Sequence, residues 1–256
     1  MHFWPFSSDD LARNLAIDEA LLEAIDAAEG EAADAVNGGA PAPLETLRVW
    51  EMATHAVVLG RSSPIATEAN MAECRRFGVP VLRRCSGGAT ILAGPGCLMY
   101  TAVLSLRKRP HLASIDAAHD FAMERLSASL RAVGIQAVRE GTCDLTVGGR
   151  KISGNAMRVK RSAVLYHGTL LYGLDVALAA RLLGRPQRQP EYREGRQHEE
   201  FIGNLAAGRG ELVRAVREGF AAELDWGLFP QREAVATAAD RLLQERYSQA
   251  SWTECR

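Results

Sequence analysis

The sequence predicts a mixed α/β domain in which a largely antiparallel sheet is flanked by helices. Three observations carry this reading. Apolar residues recur at a helical period in two long stretches, 9–28 and 114–133. Short β-type runs fill much of the chain between residues 47 and 172. Glycine-containing and polar turns join several of these runs as hairpins, which a doubly wound parallel sheet does not contain.

The elements follow in order. Residues 9–28 read as a helix, with Leu11, Leu15, Ala16, Ala20, Leu21 and Ile25 on one face behind acidic Asp9 and Asp10. Residues 28–45 read as a mobile loop, because Glu29–Pro43 is rich in Ala, Gly, Glu and Pro and lacks large apolar side chains. Leu47–Trp50 and Ala56–Leu59 are short β-type runs, Thr67–Phe77 a helix, and Val79–Arg84 and Leu98–Leu106 strands. Ser114–Val133 is a long amphipathic helix whose Ser-Ile-Asp start predicts a capping serine. Gln136–Arg139, Leu145–Val147, Lys151–Arg158 and Ala163–Tyr172 extend the sheet, with turns at Gly148-Gly149 and Lys160-Arg161. Past Asp175 the chain is mostly helical and ends with Arg232–Tyr247. The chain has no internal repeat, and it divides into one domain over 1–228 and a C-terminal helix over 229–256.

Composition excludes several classes. The 256 residues, 47% apolar and 24% charged, suffice for a sizeable core. With 30 Lys+Arg against 31 Asp+Glu, the chain lacks the basic excess that a broad nucleic-acid surface needs to displace phosphate counterions. No run approaches a bilayer-spanning length, and Met1–Asp10 has neither the basic start nor the apolar run of a secretory signal, so the expected location is cytoplasmic, away from membranes. Five cysteines, an odd number in no metal-ligand spacing, read as reduced thiols, and the scattered histidines argue against zinc. No GxGxxG or GxxxxGK[ST] motif opens a helix, so neither a Rossmann site nor a P-loop is supported.

Three segments carry candidate chemistry. In Arg83-Arg84-Cys85-Ser86-Gly87-Gly88-Ala89-Thr90, adjacent glycines after a strand let the backbone approach a ligand, and the arginines supply donors for phosphate or carboxylate oxygens. In Asp144–Ala156, a strand runs through Gly148-Gly149 to Lys151, which suits a cation neutralising an acyl-phosphate or polarising a carbonyl, just before Ser153-Gly154. The third is Tyr166-His167-Gly168-Thr169-Leu170-Leu171. Taken singly, each has a plain structural alternative: a glycine turn with solvated arginines, an exposed hairpin lysine, a satisfied core histidine.

Order and spacing change those odds. Gly60-Arg61, the RRxSGG turn, GRKISGNA and HGTLL, together with Glu68-Ala-Asn70 and Phe201-Ile202-Gly203-Asn204-Leu205, resemble the lipoate–protein ligase family within the wider biotin/lipoate ligase group, over about Leu11–Leu205. The resemblance implies a biotin/lipoate ligase-like fold with the acyl group in a bent tunnel beneath the RRxSGG loop. It places Arg83, Ser86, Gly87 and Gly88 in the acyl and phosphate pocket and Asp144 near the nucleotide or, indirectly, its magnesium. Lys151 would be the catalytic cation, with Arg61, Ser153, Gly154, His167 and Gly168 among the substrate-binding residues. It implies ATP and Mg²⁺, lipoate or octanoate as substrate, and a lipoyl-domain acceptor protein as partner.

The chain departs from the family pattern in three places. Ala89 and Thr90 stand where a third glycine is common, Ala93, Gly94 and Cys97 where a His-Asp pair and an Asn are common, and only about fifty residues follow Leu205. The last departure leaves no room for a separate accessory domain, so an accessory subunit is a possible partner. It also opens a second reading: an octanoyltransferase that takes its acyl group from acyl carrier protein through a cysteine thioester. Cys143 and Cys97 are the candidate nucleophiles, although such a cysteine is expected further upstream of the lysine. A third reading is a non-catalytic lipoate-binding protein or a ligase subunit.

Overall fold

The structure, a computed structural model, describes residues 1–34, 41–184 and 189–256. β1 (His2–Pro5) leads through α1 (Leu11–Asp34) to β2 (Thr46–Trp50), and the two strands pair in parallel, His2 opposite Thr46. β1 was not expected: four residues are too few to display a period.

β3 (Ala56–Leu59) is the centre of a separate three-stranded sheet. The chain leaves it through α2 (Ile65–Glu68) and α3 (Met71–Arg76), returns as β4 (Val81–Arg83) in parallel, and then as β5 (Ile91–Ala93) antiparallel. The single helix expected over Thr67–Phe77 is therefore two. Ala69 is extended and bridges to Leu183, and Asn70 restarts the helix by accepting from the Glu73 amide at 3.3 Å.

The main sheet takes up β6 (Cys97–Ser105) and, after α4 (Ile115–Ala132), β7 (Val138–Glu140), β8 (Asp144–Val147), β9 (Arg150–Val159) and β10 (Ala163–Leu171). α5 (Val176–Leu182), α6 (His198–Phe201), α7 (Arg209–Gly219), β11 (Leu224–Asp225), α8 (Arg232–Leu242) and α9 (Ala250–Thr253) complete the chain. Strand order is β11-β1-β2-β6-β10-β9-β8-β7, antiparallel except for the two pairings of β1. The mixed, largely antiparallel sheet read from the hairpins is thus the observed one. Gly148 and Gly149 make the β8–β9 turn with φ of 57° and 73°, the left-handed pair that a two-residue hairpin needs. Ser114 precedes α4 as expected, but its side chain makes no capping hydrogen bond.

β6 and β10 are buried along their whole length because helices cover both faces of the sheet. On one side Leu21, Leu22 and Ile25 of α1 pack with Val235 and Leu242 of α8. On the other, Leu126 and Leu130 of α4 pack with Leu212 and Val216 of α7. α8 shares the core with α1, and a π-helical turn at Leu243–Tyr247 separates it from α9. The stretch expected as one C-terminal helix over 229–256 is thus several elements built into the domain.

The loop expected from residue 28 begins later, since α1 runs to Asp34. Glu29 is buried, 1% exposed, and accepts from the Leu44 amide at 2.7 Å, the Arg107 guanidinium at 3.1 Å and the Ser105 hydroxyl. The middle of that expected loop, residues 35–40, lies outside the described residues.

Gly168 of β10 lies opposite Asn155 of β9, and a Cβ built on it would lie 1.8 Å from Asn155 Oδ1. Asn155 cannot yield freely, because its amide donates to the Cys143 carbonyl at 2.7 Å and its oxygen accepts from the Tyr100 hydroxyl. Gly168→Ala is expected to destabilise the fold by about 1–3 kcal/mol, as overpacking does, read as a lowered urea midpoint at unchanged slope.

Candidate active site

β9 places Lys151 and Gly154 on the wall of a cavity of about 120 Å³ between the two sheets. Ile91, Leu92, Leu171 and Leu174 make its apolar walls, and Thr90 and Thr169 add hydroxyls. The segment that runs from residue 189 to α6 and beyond closes one side with Arg193, Phe201 and Ile202. Ile202 bridges in parallel to Lys151, and the Gly203 amide donates to the Lys151 carbonyl at 2.9 Å, so this cover is registered on β9.

The Lys151 ammonium is 2.7 Å from Asp144 Oδ1, and the Tyr192 hydroxyl donates to Asp144 Oδ2 at 2.7 Å. Burial and the neighbouring Asp144 carboxylate push the Tyr192 phenol well above its ordinary value, so it stays a donor. The stem of Lys151 lies over Gly154, where an added Cβ would be 2.9 Å from both Cε and Nζ. The result is an ammonium held in place with 28% of its side chain exposed, beside apolar walls. Such a fixed cation, needing no reorganisation, can stabilise negative charge that develops on an acyl or phosphoryl oxygen. Among the described residues no group of three His, Cys, Asp or Glu side chains is placed to hold a metal ion.

The remaining sequence candidates separate into distinct places. Arg83, expected in the acyl and phosphate pocket, is not among the residues that line this cavity. Its guanidinium is fully buried and donates to the carbonyls of Gly60 (2.7 Å), Ser63 (2.8 Å) and Thr253 (2.7 Å), which ties the β3–α2 loop to α9. Arg61 is exposed, with its guanidinium 5.7 Å from the Trp252 ring centre. Gly87 and Gly88 are exposed on the turn, which Arg84 pins from within by donating to the Gly87 carbonyl at 2.6 Å and the Ala89 carbonyl at 3.0 Å. Ser153 is buried and accepts from the Asn155 amide at 3.1 Å. Ser86 and His167 meet in the interior, Oγ to Nε2 at 2.5 Å, and burial lowers the imidazole pKa.

Cys97, a candidate nucleophile in the sequence, is fully buried in β6 with its thiol toward Met99 Sδ at 3.8 Å; burial and then Glu51 push it up to about 12, so it supplies no thiolate. Cys85 is pushed up to about 11 by burial. Cys143 is partly buried, donates to the Asn155 carbonyl at 3.0 Å, and is also raised, by burial first and by Asp144 second.

Sequence reading missed Glu68 as part of the cavity, although the EAN motif contains it. Its carboxylate accepts from the Thr90 amide at 2.9 Å and hydroxyl at 2.7 Å, fixing the strand end that lines the chamber. Arg193 and Tyr192 carry no local signal, because only the chain's return over β9 brings them there.

Fold and site together define an α/β domain with a largely apolar chamber that carries the Lys151 ammonium at its wall. The chain belongs to the lipoyl protein ligase A/B catalytic domain family, which it matches over residues 10–218. It is 30% identical over 170 residues to a protein of Aeropyrum pernix assigned as a lipoate-protein ligase A, covering 66% of this chain and 57% of that one. It thus spans little more than half the length of that relative. It is 25% identical to the octanoyltransferase LipM of Brevibacillus brevis, covering 94% of each chain. A Thermoplasma acidophilum structure with bound lipoic acid superposes with a TM-score of 0.78 at 19% identity, over 100% of this chain and 99% of that one. The bipartite lipoate protein ligase of the same organism, described with its E2 lipoyl domain, gives 0.77 at 19% identity over 99% and 95%. A lipoate-protein ligase A bound with ATP also gives 0.77, at 20% identity over 99% and 98%. At these identities the structural likenesses establish the fold. Among the described residues no helix is long and apolar enough to cross a membrane.

Proposed function

We propose that this protein attaches a lipoyl or octanoyl group to a lysine of a lipoyl-domain acceptor protein, using ATP to activate the acid as an acyl-adenylate. The observation that carries the reading is the held ammonium of Lys151 at the wall of an apolar chamber. An apolar chain suits those walls, and the carboxyl end meets the cation. Carboxylate attack on the α-phosphorus of ATP expels pyrophosphate. The acceptor amine then attacks the carbonyl carbon, and AMP leaves as the amide forms. Lys151 would stabilise the oxygen charge in both steps, while the cover over β9 limits water. The Asp144 carboxylate is already bonded to Lys151 and Tyr192, and the Glu68 carboxylate at the same cavity is bonded to the Thr90 amide and hydroxyl. A magnesium ion arriving with ATP would therefore take most of its ligands from phosphate and water.

The octanoyltransferase reading has its own support in the relative that matches 94% of both chains. It needs a reactive thiolate, and the elevated thiols of Cys85, Cys97 and Cys143 count against one. Intact-mass measurement of a lipoyl domain separates the readings when the protein is given lipoate with ATP and magnesium in one tube and octanoyl carrier protein without ATP in another. Mass gain only in the first tube is expected, and Cys143→Ala should leave its rate essentially unchanged. Mass gain only in the second, abolished by Cys143→Ala, would replace the ligase reading with the transferase. No gain in either tube would mean a binding protein or a missing subunit.

A further inference from the structure

Behind the glycine turn lies a buried chain of polar groups that the chemistry above does not use. Ser86, His167 and Asp18 come from the turn, β10 and α1, and are 1%, 5% and 2% exposed. Ser86 Oγ accepts from Arg84 Nε at 3.1 Å and lies 2.5 Å from His167 Nε2. Arginine can only donate, so Ser86 Oγ keeps its hydrogen, which can go to a bare Nε2. That puts the ring proton on Nδ1, which faces Asp18 Oδ2 at 3.6 Å and has no hydrogen-bond partner. Asp18 cannot turn away: Oδ1 accepts from Arg48 Nη1 at 2.7 Å and Oδ2 from the Thr101 hydroxyl at 2.7 Å. A carboxylate so placed favours an N–H over a lone pair at Nδ1. Arg84, on the opposite side of the ring, is the other charged group that acts on it.

We propose that Asp18 is a positioning residue for the acyl-transfer site, which fixes the Nδ1–H tautomer of His167 so that the imidazole receives the Ser86 hydroxyl and sets the Gly87–Gly88 turn. The inference rests on the proposed function for its consequence but not for its geometry. Ser86 is the hinge between the interior and the exposed glycines. Its carbonyl accepts from the Arg61 amide at 2.8 Å, and its side chain links the turn to β10, beside the bonds that Arg84 and Ser63 make to the turn's carbonyls. Asparagine at position 18 keeps the volume and can still accept from Arg48, but it presents an N–H to Nδ1. The ring would then carry its proton on Nε2, and the Ser86 hydroxyl would lose its acceptor.

The test is nitrogen NMR of the histidine side chains in the full chain, with transfer kinetics on the same samples. Wild type should show His167 as the Nδ1–H tautomer and Asp18→Asn as Nε2–H. Loosening of the turn should then lower kcat/KM for transfer on the order of 10- to 100-fold, with KM for the lipoyl domain unchanged. An Nε2–H tautomer in wild type, or lost activity in Asp18→Asn with the tautomer unaltered, overturns the proposal. If Asp18→Asn does not fold, the paired variants His167→Gln and His167→Asn decide. The glutamine amide reaches the Nε2 position and can accept from Ser86, whereas asparagine reaches only Nδ1. The glutamine variant should keep the larger share of activity, and equal loss in both overturns the relay. Because the tautomer is read without any acyl donor, its failure sinks the relay alone, and failure of wild-type transfer sinks the ligase reading alone.

Discussion

Lys151→Ala is expected to slow modification of a lipoyl domain by on the order of 10²- to 10³-fold in kcat/KM, about 3–4 kcal/mol of transition-state stabilisation. Its ammonium is the cation at the cavity wall that Asp144 and Tyr192 hold in place from behind. Alanine removes the charge and leaves the Asp144 carboxylate facing the reacting oxygens, so the local field changes sign as well as weakening. Arginine should not substitute. Its planar fork is longer and would have to displace Tyr192 or the backbone over Gly154, where even a Cβ would sit 2.9 Å from the lysine stem. Folding is the control. With 28% of the Lys151 side chain exposed, loss of the pair should cost at most about 1 kcal/mol after solvent screening, so the melting point should barely move while the rate collapses. Wild-type turnover by Lys151→Ala would remove the lysine from the chemistry.

Arg48→Ala should act in the opposite manner, on stability first, by about 3–5 kcal/mol in the free energy of unfolding. Arg48 is fully buried, with its guanidinium 4.6 Å from the centre of the Trp50 ring and 5.7 Å from that of Trp4. It donates to Asp18 Oδ1 at 2.7 Å, to Asn14 at its carbonyl (2.8 Å) and Oδ1 (2.6 Å), and to the Phe6 carbonyl at 3.1 Å. Burial pulls the guanidinium below its ordinary pKa, with the Asp18 carboxylate acting against that shift, as expected for a charge whose desolvation is offset only by its partner. Alanine strands a carboxylate and three acceptors in the interior and leaves a void between two indoles. Chemical denaturation should show the loss directly, and a cost below about 1 kcal/mol would mean that water replaces the guanidinium. Arg48→Met, which fills the volume but leaves Asp18 unpaired, should recover only the packing part.

Periodicity and turn chemistry carried most of the fold. α1, α4 and the strands β6, β8, β9 and β10 were legible because each repeats a pattern long enough to be read, or ends at a turn whose residues demand it. What failed were short or context-dependent elements. β1 exists because β2 and β11 offer it backbone partners. The break at Ala69 exists because Leu183, far along the chain, bridges to it.

The candidate site was legible in a similar, partial way. Local order singled out Lys151, Gly154 and Asp144 as candidates, and their spacing through a tight hairpin brings lysine and carboxylate together across neighbouring strands. It did not show that Arg83 spans two loops, because whether an arginine beside a glycine turn does so depends on where α9 and the Gly60 loop lie. It left the cysteines open, because thiol reactivity is set by burial and neighbouring charge, neither of which is a property of the chain position. The sequence by itself determined the class of fold and the family, since each is written in residues close together or in fixed order. Tertiary structure alone decided which polar groups are buried together, such as Asp18 with His167 and Tyr192 with Asp144. Their partners lie 149 and 48 positions apart, and only packing against a common sheet removes the water that would otherwise keep them independent.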